Sequence, residues 1–231
     1  AYKGVGNAWI VKNLKENESV ETIVSLLNSN LKQKIPITVA EFETKKKKLK
    51  ELLEKFDGFC DGFVAVGDEN FPEYRGNVKN SEQPVFLYYK GNIDLLNKSN
   101  KNISVIGLLN PDVSIEKKEQ ELVAEFVKNG ATIVSGLAFG CDSIAHRQAL
   151  NSNGKTVAIL PSPLNNILPA KNKDLAEEII EKGGLLVSEY GRDFKTVMEL
   201  SSRYKERDRF QALFCDVIVL VASYAQDSAK R

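Results

Sequence analysis

Residues 133–146 read IVSGLAFGCDSIAH, and this stretch decides the fold. A short apolar run leads into Ser135-Gly136, then come Gly140, Asp142 and His146, the single histidine of the chain. The run ATIVSG, from Ala131 to Gly136, lacks the apolar–polar alternation of a half-exposed strand and reads as a strand buried on both faces. SIAHRQALN, residues 143–151, reads as the helix after it. Glycines at such a junction let backbone turn tightly or approach a ligand, and a helix starting near Asp142 presents N–H groups to an anion.

The same rhythm extends outward. ISVIG (103–107) is a strand, and IEKKEQELVAEFVKNG is a helix closing on Gly130 at its C′ position. KTVAILP is a strand, KDLAEEIIEKGG a helix ending at Gly183-Gly184, and LLVSE a strand. A helical stretch to about residue 214 precedes the strand DVIVLVAS. Five apolar strands separated by helices predict an α/β fold with a doubly wound parallel sheet, its strands covered on both faces. FVAVG and PVFLYYKGN, between residues 63 and 92, read as further strands from their aromatic and β-branched content.

In an open parallel sheet, ligands bind beyond the carboxyl ends of the strands. Those ends are Gly107-Leu108, Ser135-Gly136, Pro161-Ser162, Ser188-Glu189 and Ala222-Ser223. Gly136 and Gly140 suit a ligand-approaching loop or simply a tight turn. Asp142 is a good N-cap, which satisfies the helix N–H groups itself and repels a phosphate. His146, one turn later, shares its face, so the two read as a pair bracing the turn, with a catalytic dyad as the alternative. The chain has no GxGxxG fingerprint, no P-loop, no HExxH and no GxSxG elbow, and neither a metal nor a cofactor is expected.

Composition sets outer bounds. Of 231 residues, 42% are hydrophobic and 27% charged, as in ordinary globular domains. Lys plus Arg is 32 against 31 Asp plus Glu, a net charge of +1, so nucleic-acid binding would need a local basic patch and not a wholly basic surface. Cys60, Cys141 and Cys215 form no CxxC pair, which favours a reducing compartment. No apolar run spans a bilayer and the first residues lack a signal-peptide core, so a cytoplasmic protein is expected. Residues 1–56 read as a small helical domain ahead of the α/β domain at 57–231. VETIVSLLNSNL carries one apolar face, and TVAEFETKKKKLKELLEKF is a second helix with Thr38 as N-cap. Its run Lys45–Lys48 reads as a solvated face helped by pairs such as Lys47–Glu51.

The central stretch, IVSGLAFGCDSIAHRQAL, resembles the signature loop of the DNA-processing protein A (DprA/Smf) family, roughly SGLAxGxDxxAHxxAL. Three more segments match in order: DENFPEYRGNVKNSEQPVFLYYKGNIDLL, VAILPSPLNNILPAKNKDLAEEIIEKGGLLVSEY and YKERDRFQALFCDVIVLVA. Together they span about residues 68 to 222, and YKGVGNA near the start resembles a helix-hairpin-helix or SAM-like turn. The resemblance implies an extended Rossmann-like domain that binds single-stranded DNA without catalysis and passes it to a RecA-type recombinase, as in natural transformation, and it suggests a homodimer. The DNA-contact candidates are Gly107, Ser135, Gly136, Phe139, Gly140, Lys171, Asn172, Arg207 and Arg209, with Lys173, Arg203 and Lys205 as further cations and Asp142 and His146 structural beside them.

Several positions depart from the family pattern. Gly107-Leu108-Leu109 stands where members carry Gly-Ser/Thr-Arg. Arg207-Asp208-Arg209 replaces Arg-Asn-Arg, and Tyr204-Lys205 replaces Phe-Pro. Members continue past the last strand with another helix and strand, so the sequence is expected to be cut short of a full member. Two rival functions remain: a nucleoside-monophosphate N-glycosidic hydrolase, using Glu189 and Asp142, and a nucleotide-sensing domain.

Overall fold

A computed structural model of the chain describes residues 2–15, 18–31, 35–53, 58–76 and 78–224. The central unit forms as its sequence predicts: β4 (Ala131–Ser135) is buried throughout, and α5 (Cys141–Asn151) follows the loop 136–140. Around it lie β3 (Lys101–Ile106), α4 (Val113–Lys128), β5 (Thr156–Ile159), α6 (Lys173–Glu181), β6 (Leu185–Ser188), α7 (Val197–Leu213) and β7 (Val217–Leu220). Ahead of them come β1 (Gly62–Ala65) and β2 (Phe86–Gly91). The seven strands form one sheet in the order β1-β2-β6-β5-β4-β3-β7.

The five strands from β3 to β7 pair in parallel, whereas β2 joins β6, and β1 joins β2, in antiparallel register. Strands β4 to β6 have the two-faced burial that their apolar runs require. Val157, Ile159, Leu185 and Val187 pack with Phe210, Leu213 and Phe214 of the α7 region on one face. Ala158 and Leu186 pack with Leu175, Ala176 and Ile179 of α6 on the other. Strand β7 departs from expectation. Its Val217, Ile218 and Leu220 are exposed, because among the described residues it stands at the edge of the sheet and pairs only with β3.

The helix ends follow their capping residues. Asp112 Oδ1 accepts from the amides of Ser114 and Ile115 at the start of α4, and Gly130, at φ +78°, ends it. α7 runs unbroken through Tyr204-Lys205. A proline at 205 would remove an intrahelical donor and clash with the preceding turn, so its absence permits the long helix. Edge strand and core are tied together by Arg75, whose buried guanidinium grips Asp216 at 2.7 Å and donates to the carbonyls of Asn97 and Asn100.

Among the described residues three α-helices precede the sheet: α1 (Asn7–Asn13), α2 (Val20–Asn30) and α3 (Val39–Leu53). Val24, Leu27 and Ile37 form their own small core with Trp9 and Phe42 against it. Thr38 caps α3 as its sequence predicts, accepting from the Glu41 amide while Glu41 accepts from the Thr38 amide. Lys45 lies over the ring of Tyr2 at 4.0 Å, and Lys46 pairs with Glu43. The boundary expected at residues 56–57 lies outside the described residues.

Candidate nucleic-acid interface

The loop 136–140 leaves β4 at its carboxyl end and is braced from beneath. Asp142 Oδ2 accepts from the amides of Gly136, at 3.2 Å, and Ala138, at 3.1 Å. Asp142 is therefore not the N-cap that its position in the sequence predicts. That place falls to Gly140, which has no capping side chain, and the carboxylate points back to close the loop. Arg207 of α7 approaches the same carboxylate at 3.7 Å and fills the space over Gly136, where an added Cβ would fall 1.3 Å from its Nη1. Asn172 completes the brace: its amide donates to Leu137 O and Ser143 Oγ, each at 2.9 Å.

The neighbouring tip is locked to this loop. The Cys141 amide donates to Leu108 O at 2.9 Å. A Cβ on Gly140 would lie 2.2 Å from Leu108 O and 2.5 Å from Leu109 C, and one on Gly107 would lie 2.5 Å from Cys141 Sγ. The glycines at 107, 136 and 140 thus let three chain segments approach one another closely, as well as turn.

Much of the expected contact set is occupied internally. Ser135 is buried and donates to Val105 O at 2.7 Å. Asn172 and Arg207 are buried in the brace, 3% and 4% exposed, so their side chains cannot reach a strand laid across the surface as they stand. Arg209 points elsewhere, donating to Glu189 at 2.6 Å and to Glu82 O at 2.8 Å. Arg203 is held by Glu199 at 2.7 Å. Outside the brace stand Phe139, at the loop's crest, and the exposed lysines 171, 173 and 205, of which Lys173 pairs with Glu177. Lys171 adjoins the bracing Asn172 and so sits beside the loop.

The expected pairing of His146 with Asp142 does not form. The Thr156 hydroxyl donates to Ile133 O, so it accepts from His146 Nδ1–H at 2.7 Å. Complete burial, with the nearby charge of Arg207, lowers the imidazole pKa to about 3. It is neutral at any ordinary pH and serves to pin α5 to β5.

Glu119 of α4 was not among the candidates, although its place offered a signal. It lies four residues after Ile115 and four before Val123, on the stripe that an amphipathic helix reserves for apolar residues. It is fully buried beside Cys141, and burial, with Asp142 and Glu116 near, raises its pKa to about 7. In the unfolded chain the carboxyl ionises near 4.5. Because its folded pKa is the higher, stability falls as pH rises from about 4.5 to 7 and stays lower above that. Glu119→Gln is therefore expected to be about 2–3 kcal/mol more stable, relative to wild type, at pH 8 than at pH 4.5, as read from urea unfolding at the two pH values.

A concavity of about 590 Å³ opens past β6 and is lined by Glu189, Tyr190, Arg192, Met198, Arg203 and Glu206 among others. Its arginines are paired, Arg192 and Arg203 both with Glu199. Among the described residues no group of three or more His, Cys, Asp or Glu side chains is arranged to hold a metal, and no helix is long and apolar enough to cross a membrane.

Comparison with known proteins agrees with this architecture. A sequence profile of the DNA recombination-mediator protein A family matches residues 62–229. The chain is 32% identical over 143 residues to protein Smf of Borreliella burgdorferi, covering 62% of this chain and 44% of that protein. It is 29% identical over 224 residues to DNA processing protein DprA of Streptococcus pneumoniae, covering 94% and 73%. The chain spans less than half the length of several of these relatives, the Borreliella protein among them. The crystal structure of the Streptococcus protein superposes with a TM-score of 0.66 at 24% identity over 94% of this chain and 73% of that one, which shows a shared fold. A structure of DNA processing protein A from Helicobacter pylori, described for its single-stranded DNA binding mode, superposes with a TM-score of 0.55 at 29% identity over 68% of each chain.

Proposed function

From the premise that this chain belongs to the DNA recombination-mediator protein A family, we propose that it binds single-stranded DNA across the tips of β3, β4 and β5 and performs no chemistry on it. One observation carries the reading: the loop 136–140 is fixed from below by Asp142, Asn172 and Arg207, which leaves Phe139 on its outer side with Lys171 adjacent. A rigid crest bearing an aromatic ring, with a flanking cation, suits the stacked bases and charged backbone of an unpaired strand. The Helicobacter relative's single-strand binding supports the same assignment.

The non-catalytic part rests on the carboxylates. Asp142 is committed to two amides and Arg207, and Glu189 to Arg209, so neither stands as a general acid or base for a glycosidic hydrolase. By the same family reading, the strand is delivered to a RecA-type recombinase in the cytoplasm by a homodimer, and residues 1–56 form a helix-hairpin-helix-like module.

The test is fluorescence anisotropy with labelled single strands and duplexes at several salt concentrations. Single strands are expected to bind more tightly than duplexes, and log affinity to fall with log salt by about 0.7 for each phosphate contacted. Equal affinity for duplex, or no binding, overturns the proposal.

A further inference from the structure

Glu119 is 0% exposed, and among the described residues neither of its carboxylate oxygens has a well-formed hydrogen bond. The donor beside it, the Cys141 thiol, is a weak one. A carboxyl buried in this way is tolerable as the neutral acid and costly as the anion. Its surroundings offer the anion no counter-charge. The titratable groups that bear on it are Cys141 and Asp142 of α5 and Glu116 of its own helix. Burial keeps Cys141 a neutral thiol, its pKa raised to about 12. β4 holds no charged residue, and Lys101, the one in β3, is exposed at the strand's far end. Arg207, the cation of this cluster, is taken up by Asp142.

Its place ties Glu119 to the β3 and β4 tips. Residues 107–112 leave β3 and run directly into α4, with Glu119 about two turns along it. Its side chain stands beside Cys141, the first residue of α5, whose amide holds Leu108 O at 2.9 Å. We infer that Glu119 is a proton-operated latch on these tips: the neutral acid keeps α4 packed on α5 and the tips joined, whereas the carboxylate favours release of the first turns of α4 to water and a parted form that does not hold a single strand. The consequence for DNA rests on the single-strand reading above, and the latch itself does not. The lone histidine supplies no such response, since it is buried and neutral at ordinary pH.

The test is amide hydrogen exchange by NMR, corrected for intrinsic rates, on the wild type and Glu119→Gln, which keeps the shape and cannot ionise. Glu119→Leu serves as a second neutral variant. Cys141 is expected to be less protected than Val157 in the buried strand β5, because its opening is local. With ionisation at about 7 when packed and near 4.5 once exposed, Cys141 protection should fall about thirty-fold from pH 5.5 to 8 in the wild type. It should stay level in both variants. If Cys141 is as protected as Val157, it opens only with the whole fold, and the latch is overturned. A wild-type profile that is level, or that the variants share, overturns it too. An oligothymidylate at about a hundred times its Kd should slow Cys141 exchange about a hundred-fold. If the strand binds without slowing it, parted tips hold DNA as well, and the control of binding is overturned. If no strand binds, the single-strand reading falls and the exchange profile alone decides the latch.

Discussion

Arg207→Ala is expected to lower the thermal midpoint by about 10 °C, and to leave the salt slope of single-strand binding unchanged wherever the variant is folded. The guanidinium is 4% exposed, lies 3.7 Å from Asp142 and occupies the space that Gly136 leaves free. Removing it strands the Asp142 carboxylate, itself only 8% exposed, on two amide donors. Breaking a buried pair on one side costs about 3–5 kcal/mol, because the remaining charge keeps its desolvation penalty without its partner. A phosphate-contacting arginine behaves in the opposite way, since its loss reduces the salt slope by about 0.7 and hardly moves the midpoint. Differential scanning fluorimetry and salt-dependent anisotropy on the same variant separate the two. A normal midpoint with a reduced slope would show that Arg207 swings out to the strand.

Gly140→Ala is expected to cost about 3 kcal/mol or more and to abolish single-strand binding at the wild-type half-saturating concentration. Gly140 sits at φ +70°, which a side chain adopts only with strain, and its added Cβ would meet Leu108 O at 2.2 Å. The obstacle is backbone and cannot rotate away. Relief requires opening the hydrogen bond from the Cys141 amide to Leu108 O, which separates the two tips that carry Leu109 and Phe139. Gly130→Ala is the control. Its φ is +78°, but nothing lies within 4 Å of its added Cβ, so it should show only the conformational cost of about 1–2 kcal/mol with binding intact. Similar losses from the two substitutions, by urea unfolding, would mean that the tips are not locked together.

The sequence disclosed most of the frame because the frame is local. The apolar strands at 131–136 and 155–161 lack alternation, and the helices between strands show capping residues such as Asp112 and Gly130. The antiparallel attachment of β1 and β2 to β6 was not legible, because strand content says nothing about which edge a strand joins. Nor was the exposure of β7, whose VIVL run has the composition of a buried strand and, among the described residues, the position of an edge.

The site divides along the same line. The positions of its glycines, Phe139 and Lys171 beside the strand ends were readable, since each follows from a strand end and a turn. The partners of Asp142, Asn172, Arg207, Arg209 and His146 were not. Each meets a group distant in sequence, as Arg207 meets Asp142 and Arg209 meets Glu189. A cation in a sequence carries a charge but no address, and a buried ion pair is chosen by which helix crosses which loop.

By itself, then, the chain's order of residues determined a largely parallel α/β sheet and its five strand ends, because hydrophobic period and turn chemistry act over a few residues, while its motifs between residues 68 and 222 carried the family resemblance. Only the tertiary structure decided which charges face inward to hold the loop and which apolar groups stand outside it. Burial is a property of neighbours that the packing of α7 and α4 against the sheet brings together.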